Sequence, residues 1–266
     1  MEQAHDHAAA RRRFRAARTI VALMLRDLST SHGRTALGYL WELLNPILAI
    51  AVLTVLFQLL GRHPDIGTSF ALFYATGVLP FHVFTGMSAK MSTVLIGSRS
   101  LLAYPGVTYM DAIIARLLLS ALTDIVIIGA VVAGIILYER IDTIIDFPVV
   151  LDAFTMAVAL GLGIGLSNSF LMAVSPTWGR AWTLVTRPLF LLSCIFYTFD
   201  SVPLPFRDWL WFNPLIHVIG LMRRGIYSTY DAAYVTPLYV YSIALATLVF
   251  GLAMLRRYTS FILHDG

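Results

Sequence analysis

Apolar residues run almost without interruption from about Leu44 to Leu60, Phe70 to Met91, Asp111 to Leu137, Val149 to Val174, Trp182 to Phe199 and Val235 to Leu255. Each run approaches or exceeds the ~20 helical residues that cross a hydrocarbon core of ~30 Å. Short polar breaks separate them: Gly61 to Asp65, Ser98 to Thr108 with Arg99, Pro105 and Gly106, an acidic loop with Glu139, Asp142 and Asp146, and Ser175 to Gly179. The pattern predicts an all-α membrane protein with six transmembrane helices. Asn45-Pro46 introduces the first, Pro80 predicts a kink in the second, and Lys90 is placed to snorkel at its end. In the fourth, Gly161, Gly165 and Ser169 recur every fourth residue, a spacing that lets another helix backbone approach closely, and they are read as packing.

Two stretches are amphipathic and too short or too broken to cross. From Thr19 to Ser29 a helix would put Arg18, Ala22, Arg26 and Ser29 on one stripe, continuing Arg15, with Ile20, Val21, Met24 and Leu28 facing away. That is an interfacial amphipathic helix. Asp27 falls off the polar stripe and is expected to pair with an arginine such as Arg34. Between Asp200 and Tyr234, Pro203, Pro205 and Pro214 interleave with Trp209, Trp211 and Phe212, which predicts short interfacial or re-entrant helices before the last span. The arginine-rich start is not read as a cleaved signal, because its apolar stretch ends after seven residues, at Arg26 and Asp27. The expected organisation is a basic cytoplasmic tail (1–18), the amphipathic helix and approach to the first span (19–43), a six-helix domain (44–257) and a cytoplasmic C-terminal tail (258–266).

Composition agrees with this picture and narrows the function. Of the 266 residues 58% are apolar or aromatic and 13% charged, and mean hydropathy is +0.78, so no soluble catalytic domain fits beside the spans. Lys90 is the only lysine among 19 positive residues, and 13 of the 19 fall on the side that holds both termini or at its margin. The other side carries Asp65, Glu139, Asp142, Asp146, Asp200, Asp208 and Asp231. The positive-inside rule therefore places both termini in the cytoplasm.

Enzyme chemistry is thin. Gly33 and Gly38 have P-loop spacing, but Tyr39 and Leu40 follow where lysine and a hydroxyl are needed, so no nucleotide, cofactor or metal is expected on this chain. A membrane-embedded lipid or sugar transferase would want clustered carboxylates at one interface, and the acids here are scattered. Cys194, His82 and His217 are read as packed side chains. Asp124 lies near the middle of the third run with Arg116 two turns away on roughly the same face; a carboxylate there needs a partner or water, and functional and structural roles stay open.

Several motifs carry a resemblance. The stretch Leu25-Arg26-Asp27-Leu28, then Gly33-Arg34-Thr35-Ala36-Leu37-Gly38-Tyr39-Leu40-Trp41-Glu42-Leu43-Leu44-Asn45-Pro46, resembles the start of ABC-2 type permeases that export polysaccharides. Ala75-Thr76-Gly77-Val78-Leu79-Pro80-Phe81, Ser100-Leu101-Leu102-Ala103-Tyr104-Pro105 with Asp111, Arg187-Pro188-Leu189-Phe190 with Phe196-Tyr197, and Asn213-Pro214-Leu215-Ile216-His217 follow in the family's order. The chain is similar in particular to the capsular polysaccharide branch, departing at Asn45, where many members carry glutamate, and at Gly220, where an acid often follows the histidine.

The resemblance implies a homodimeric permease resting on two copies of a cytoplasmic ABC ATPase, which would hold ATP and magnesium. The cargo would be a lipid-linked anionic polysaccharide, handed on to a periplasm-spanning adaptor and an outer-membrane exporter. Partners would include the membrane and no nucleic acid. Export of O-antigen or teichoic acid is the alternative within transport. The resemblance further implies ATPase coupling at Arg26, Asp27, Arg99, Leu101, Leu102, Tyr104 and Pro105. It places a substrate path along the first and fifth runs, at Arg34, Trp41, Arg180, Trp182, Arg187, Phe196 and Tyr197, where guanidinium matches carboxylate or phosphate and aromatic faces meet sugars.

Overall fold

The structure, a computed structural model, describes residues 18–28, 37–97, 108–175 and 177–264. These form helices joined by short connections, with no strand among the described residues. The helices are α1 (18–28), α2 (Leu37–Leu59), α3 (Phe70–Ser92), α4 (Val94–Gly97), α5 (Tyr109–Glu139), α6 (Phe147–Val174), α7 (Trp178–Leu192), α8 (Phe206–Trp211), α9 (Pro214–Ile226) and α10 (Pro237–His264). By length and apolarity α2, α3, α5, α6 and α10 can each cross a membrane.

Local chemistry sets the helix ends. Thr108 and Asp111 form a reciprocal capping box at the start of α5, with Asp111 N–H donating to Thr108 Oγ1 at 3.2 Å and Thr108 N–H to Asp111 Oδ2 at 2.9 Å. Asp146 caps α6 ahead of Pro148, and Ser69 caps α3. α2 begins well before the expected Leu44 and runs through Pro46, because a proline removes one backbone donor without ending an apolar helix.

α6 is the hub, packed against α3, α9 and α10. A Cβ at Gly161 would lie 2.8 Å from the Phe84 carbonyl of α3, and one at Gly165 2.7 Å from that of Ser88. On the opposite side, a Cβ at Gly163 would lie 2.6 Å from the Ala244 carbonyl of α10. The predicted small-residue spacing is therefore a close helix contact, and Gly163 extends it to a second face.

The fifth run differs from a simple crossing helix. α7 stops at Leu192 and buries none of its residues, and at ~1.5 Å per residue it covers about 22 Å. Cys194 then takes a left-handed backbone (φ 58°), which breaks the helix, and residues 193–198 continue as irregular chain. Helix and irregular chain together are compatible with a sixth crossing.

Arg223 of α9 holds this break. Its Nη2 and Nη1 donate to the carbonyls of Ile195 (3.0 Å) and Tyr197 (2.9 Å), and its guanidinium lies 4.4 Å from the centre of the Phe73 ring. The side chain is fully buried and makes no ion pair among the described residues. Asn213 adds a second tie, capping α9 through its side-chain oxygen while Nδ2 donates to the Leu192 carbonyl and Ser193 Oγ, both at 3.1 Å. Asp65, from the loop after α2, accepts from Thr198 N–H at 2.8 Å and Thr198 Oγ1 at 3.2 Å.

The predicted short helices before the last span are present as α8 and α9. α8 turns Phe206 and Trp209 outward, as an interfacial segment would, whereas α9 is buried along nearly its whole length. His217 is satisfied on both nitrogens: Nδ1 accepts from Thr236 N–H at 3.2 Å, which leaves Nε2–H to donate to the Trp211 carbonyl at 2.9 Å. Burial pushes its imidazole below the ordinary range, in keeping with a neutral ring. Gly220 faces the Tyr234 hydroxyl with no room for a side chain, so an acid at that position would not fit.

Arg223→Met leaves two buried carbonyls without donors and is expected to cost about 3 kcal/mol. Thermal unfolding of the detergent-purified protein should show a clear drop in Tm, with Arg223→Lys intermediate. An unchanged Tm would mean that residues 193–198 hold their course without the guanidinium.

Candidate functional site

Charge gathers at the end of the bundle where α1 lies. On α1, Leu23 is buried and Asp27, one turn later on the same side, is half-buried. The Asp27 carboxylate meets Arg116 Nε of α5 at 3.5 Å. Arg116 is thus a partner of Asp27 among the described residues, and Arg34 lies outside them. Arg116 Nη1 also donates to the Lys90 carbonyl at 3.3 Å, and Lys90 Nζ pairs with Glu42 of α2 at 3.2 Å. Lys90 is thereby bound across to α2, where the sequence suggested snorkelling.

Asp124 and Arg116 are both on α5 but have different partners. Asp124 is buried and accepts from Ser120 Oγ one turn away at 3.4 Å.

Among the coupling candidates, Arg26 and Asp27 lie half-buried on α1. Arg99, Leu101, Leu102, Tyr104 and Pro105 lie outside the described residues. The chain reaches them from Gly97, where an added Cβ would stand 3.2 Å from Arg116 Nη2.

The path candidates occupy α2, α7 and the break after α7. Trp41 is 64% exposed on α2. Arg180 and Arg187, two turns apart on one side of α7, are exposed, while Trp182 turns the other way and packs against the core with Leu189 and Phe190. Among the described residues no hydrogen bond, ion pair or ring contact joins Trp41 to Arg180, Trp182 or Arg187. Phe196 and Tyr197 are half-buried. The Phe196 ring lies 6.1 Å from Phe57 of α2 and 5.3 Å from Phe190, which meets Phe81 of α3 at 5.1 Å. With Tyr74, 5.3 Å from Phe57, these rings form a continuous aromatic seam between α2, α3 and α7. Sequence reading had found Phe196 but missed the seam; its signal was the recurrence of aromatics on one side of α3 at positions 70, 74 and 81.

A groove of about 750 Å³ between α2 and α5 is lined by Ile47, Ile50, Thr54, Val131 and Ile135, with Glu139 at one end. Glu139 is the single charged residue lining it, which suits it poorly to an anionic polymer. Among the described residues no group of three or more histidine, cysteine or acidic side chains stands close enough to hold a metal.

Comparison with known proteins places this geometry. Residues 18–227 match the family of the ABC-2 type transporter. The chain is 30% identical over 240 residues to the polysialic acid transport protein KpsM of Escherichia coli, covering 90% of this chain and 92% of that one. It is 26% identical over 250 residues to the capsule polysaccharide export inner-membrane protein CtrC of Neisseria meningitidis serogroup B, covering 91% of each. Against the O-antigen export system permease protein RfbA of Klebsiella pneumoniae it is 21% identical over 245 residues, covering 90% of this chain and 91% of that one. A match running from the interfacial helix through α9, together with a relative at 30% identity aligned over nine-tenths of both lengths, shows that this chain belongs to the ABC-2 type transporter family.

Proposed function

We propose that the chain is the permease subunit of an exporter carrying a lipid-linked anionic capsular polysaccharide across the inner membrane. The observation that carries this reading is likeness over almost the whole length to proteins named for polysialic acid transport and capsule polysaccharide export. The geometry supports it: the arginines of α7 face outward, and α2 and α7 leave long apolar faces uncovered, including Val52, Val55, Leu184 and Leu191. Two copies meeting along α2 and α7 would cover these faces, draw Trp41, Arg34, Arg180 and Arg187 around one path, and double its positive potential. The O-antigen alternative rests on the lower identity to the Klebsiella permease.

In this reading both termini are cytoplasmic, the six-crossing domain occupies 44–257, and α7 with residues 193–198 makes the fifth crossing. Two copies of an ABC ATPase bind below and supply ATP hydrolysis, contacting α1 and the loop around Leu101, Leu102 and Tyr104. A periplasm-spanning adaptor and an outer-membrane exporter receive the polymer.

Three measurements test this. The purified chain alone should hydrolyse no ATP above background, and its complex with the ATPase should; robust hydrolysis by the chain alone refutes the division of labour. Charged replacements of Leu101, Leu102 and Tyr104 should leave membrane abundance intact and stop export while hydrolysis continues, whereas normal export would remove the loop from coupling. Arg187→Gln, and more so Arg34→Gln with Arg187→Gln, should lower polymer export about tenfold at unchanged abundance. Parallel loss of abundance and export would make these arginines membrane anchors.

A further inference from the structure

The groove of about 750 Å³ between α2 and α5 has a definite depth and direction. Both helices pack against α3, and Ala71 of α3 is among the lining residues. The starts of α2 and α5 lie at the α1 end, where Lys90 Nζ meets Glu42 and the Lys90 carbonyl accepts from Arg116. Gln58 and Glu139 therefore mark the far end of the groove, and Ile47 and Ala130 its inner limit. At ~1.5 Å per residue it covers about 17 Å of α2 and about 14 Å of α5, the depth of one leaflet in a hydrocarbon core of ~30 Å. Glu139 ends α5, with Arg140 as its C-cap, and charged residues at the end of a span reach the headgroup level. The groove thus begins among headgroups and stops near the bilayer midplane.

Its side is open. Ile47, Val55 and Tyr138 are exposed, and a Cβ added at Gly134 would meet no atom within 4 Å, so no neighbouring helix fills the space beside α5. An apolar groove left empty forfeits the dispersion contacts of its whole lining, and the surrounding acyl chains are as apolar as its walls. Glu139, the single charged residue of the lining, selects among headgroups. Its carboxylate repels an anionic lipid and attracts a cationic group. A primary ammonium brings three N–H donors and forms a charge-assisted hydrogen bond, whereas a trimethylated ammonium has no donor to offer. The Gln58 side-chain carbonyl supplies a second acceptor at the same level.

We propose that this groove holds one phosphatidylethanolamine-type phospholipid of the leaflet opposite α1, with an acyl chain between α2 and α5 and its primary ammonium on Glu139. The lipid bridges two helices that each rest on α3 and sets the spacing between them.

The test uses the whole chain, purified in mild detergent and stripped of lipid. Dioleoylphosphatidylethanolamine, dioleoylphosphatidylcholine and dioleoylphosphatidylglycerol are added in turn, with native mass spectrometry counting bound lipid and thermal unfolding reading its stabilisation. A single phosphatidylethanolamine per chain should be retained, about tenfold tighter than phosphatidylcholine, the difference expected for one hydrogen bond to a charged group. Phosphatidylglycerol should bind most weakly. Glu139→Gln should bring the ethanolamine and choline lipids to equal affinity at an unchanged lipid-free Tm. Gly134→Leu places a side chain in the open space and should abolish retention of all three lipids, again with the lipid-free Tm of the unmodified chain. Equal affinity of the unmodified chain for the three lipids overturns the proposal. So does a preference for phosphatidylglycerol, which would make the groove a seat for an anionic lipid anchor. Retention that survives Gly134→Leu would put the lipid elsewhere, and a chain that retains no lipid but loses its dimeric mass in Gly134→Leu would have the groove closed by a second copy; either result also overturns it.

Discussion

A buried guanidinium bonded to backbone carbonyls fixes the end of this molecule opposite α1. Once α7 ends at Leu192, the carbonyls of the following residues lose their helical partners inside an apolar bundle, where each unpaired group costs free energy. Arg223 answers two of them at once and sets its charge against the Phe73 ring, so the break in α7, the course of α9 and the packing of α3 depend on one another. Asn213 and Asp65 close the remaining ends of the same segment. Removing the arginine therefore frees a whole irregular stretch, which a single lost hydrogen bond would not do.

The cost of such an arrangement is met by close packing elsewhere. α6 presents glycine on two faces, which brings α3 and α10 to within backbone contact, and together with α9 these helices hold most of the core. Their tight association leaves α2 and α7 at the periphery with apolar faces that water would not tolerate. In a bilayer those faces meet lipid or a second copy, so the packing of the centre decides which surfaces remain for assembly.

Much of the fold was legible as periodicity. Five apolar runs became long helices because a membrane span must satisfy its own backbone, and the Gly161 and Gly165 spacing identified its neighbour contact in advance. The short helices before the last span were legible from their prolines and tryptophans. The roles of single charges were not. Arg223 reads in sequence like any outer-face arginine, and only the break in α7, set by the left-handed Cys194, gives it carbonyls to bind. Asp27 was visible as an anomaly on its helix, yet its partner lies 89 residues away on α5, beyond any local pattern. Asp111, which looked like a family mark, turned out to be half of a capping box.

These contacts also sort the cations by availability. Arg116, Lys90 and Arg207 are joined to Asp27, Glu42 and Asp200, and Arg223 is committed to backbone carbonyls. A guanidinium already neutralised or fully buried offers little to an anionic polymer, since taking it would require breaking the existing bond first. Arg180 and Arg187 stand exposed on one side of α7 with no acidic partner among the described residues. The α2–α5 groove, by contrast, carries a carboxylate. Among the described residues, then, the outward side of α7 carries cations that no acid neutralises, which separates them from the charges that hold the helices together.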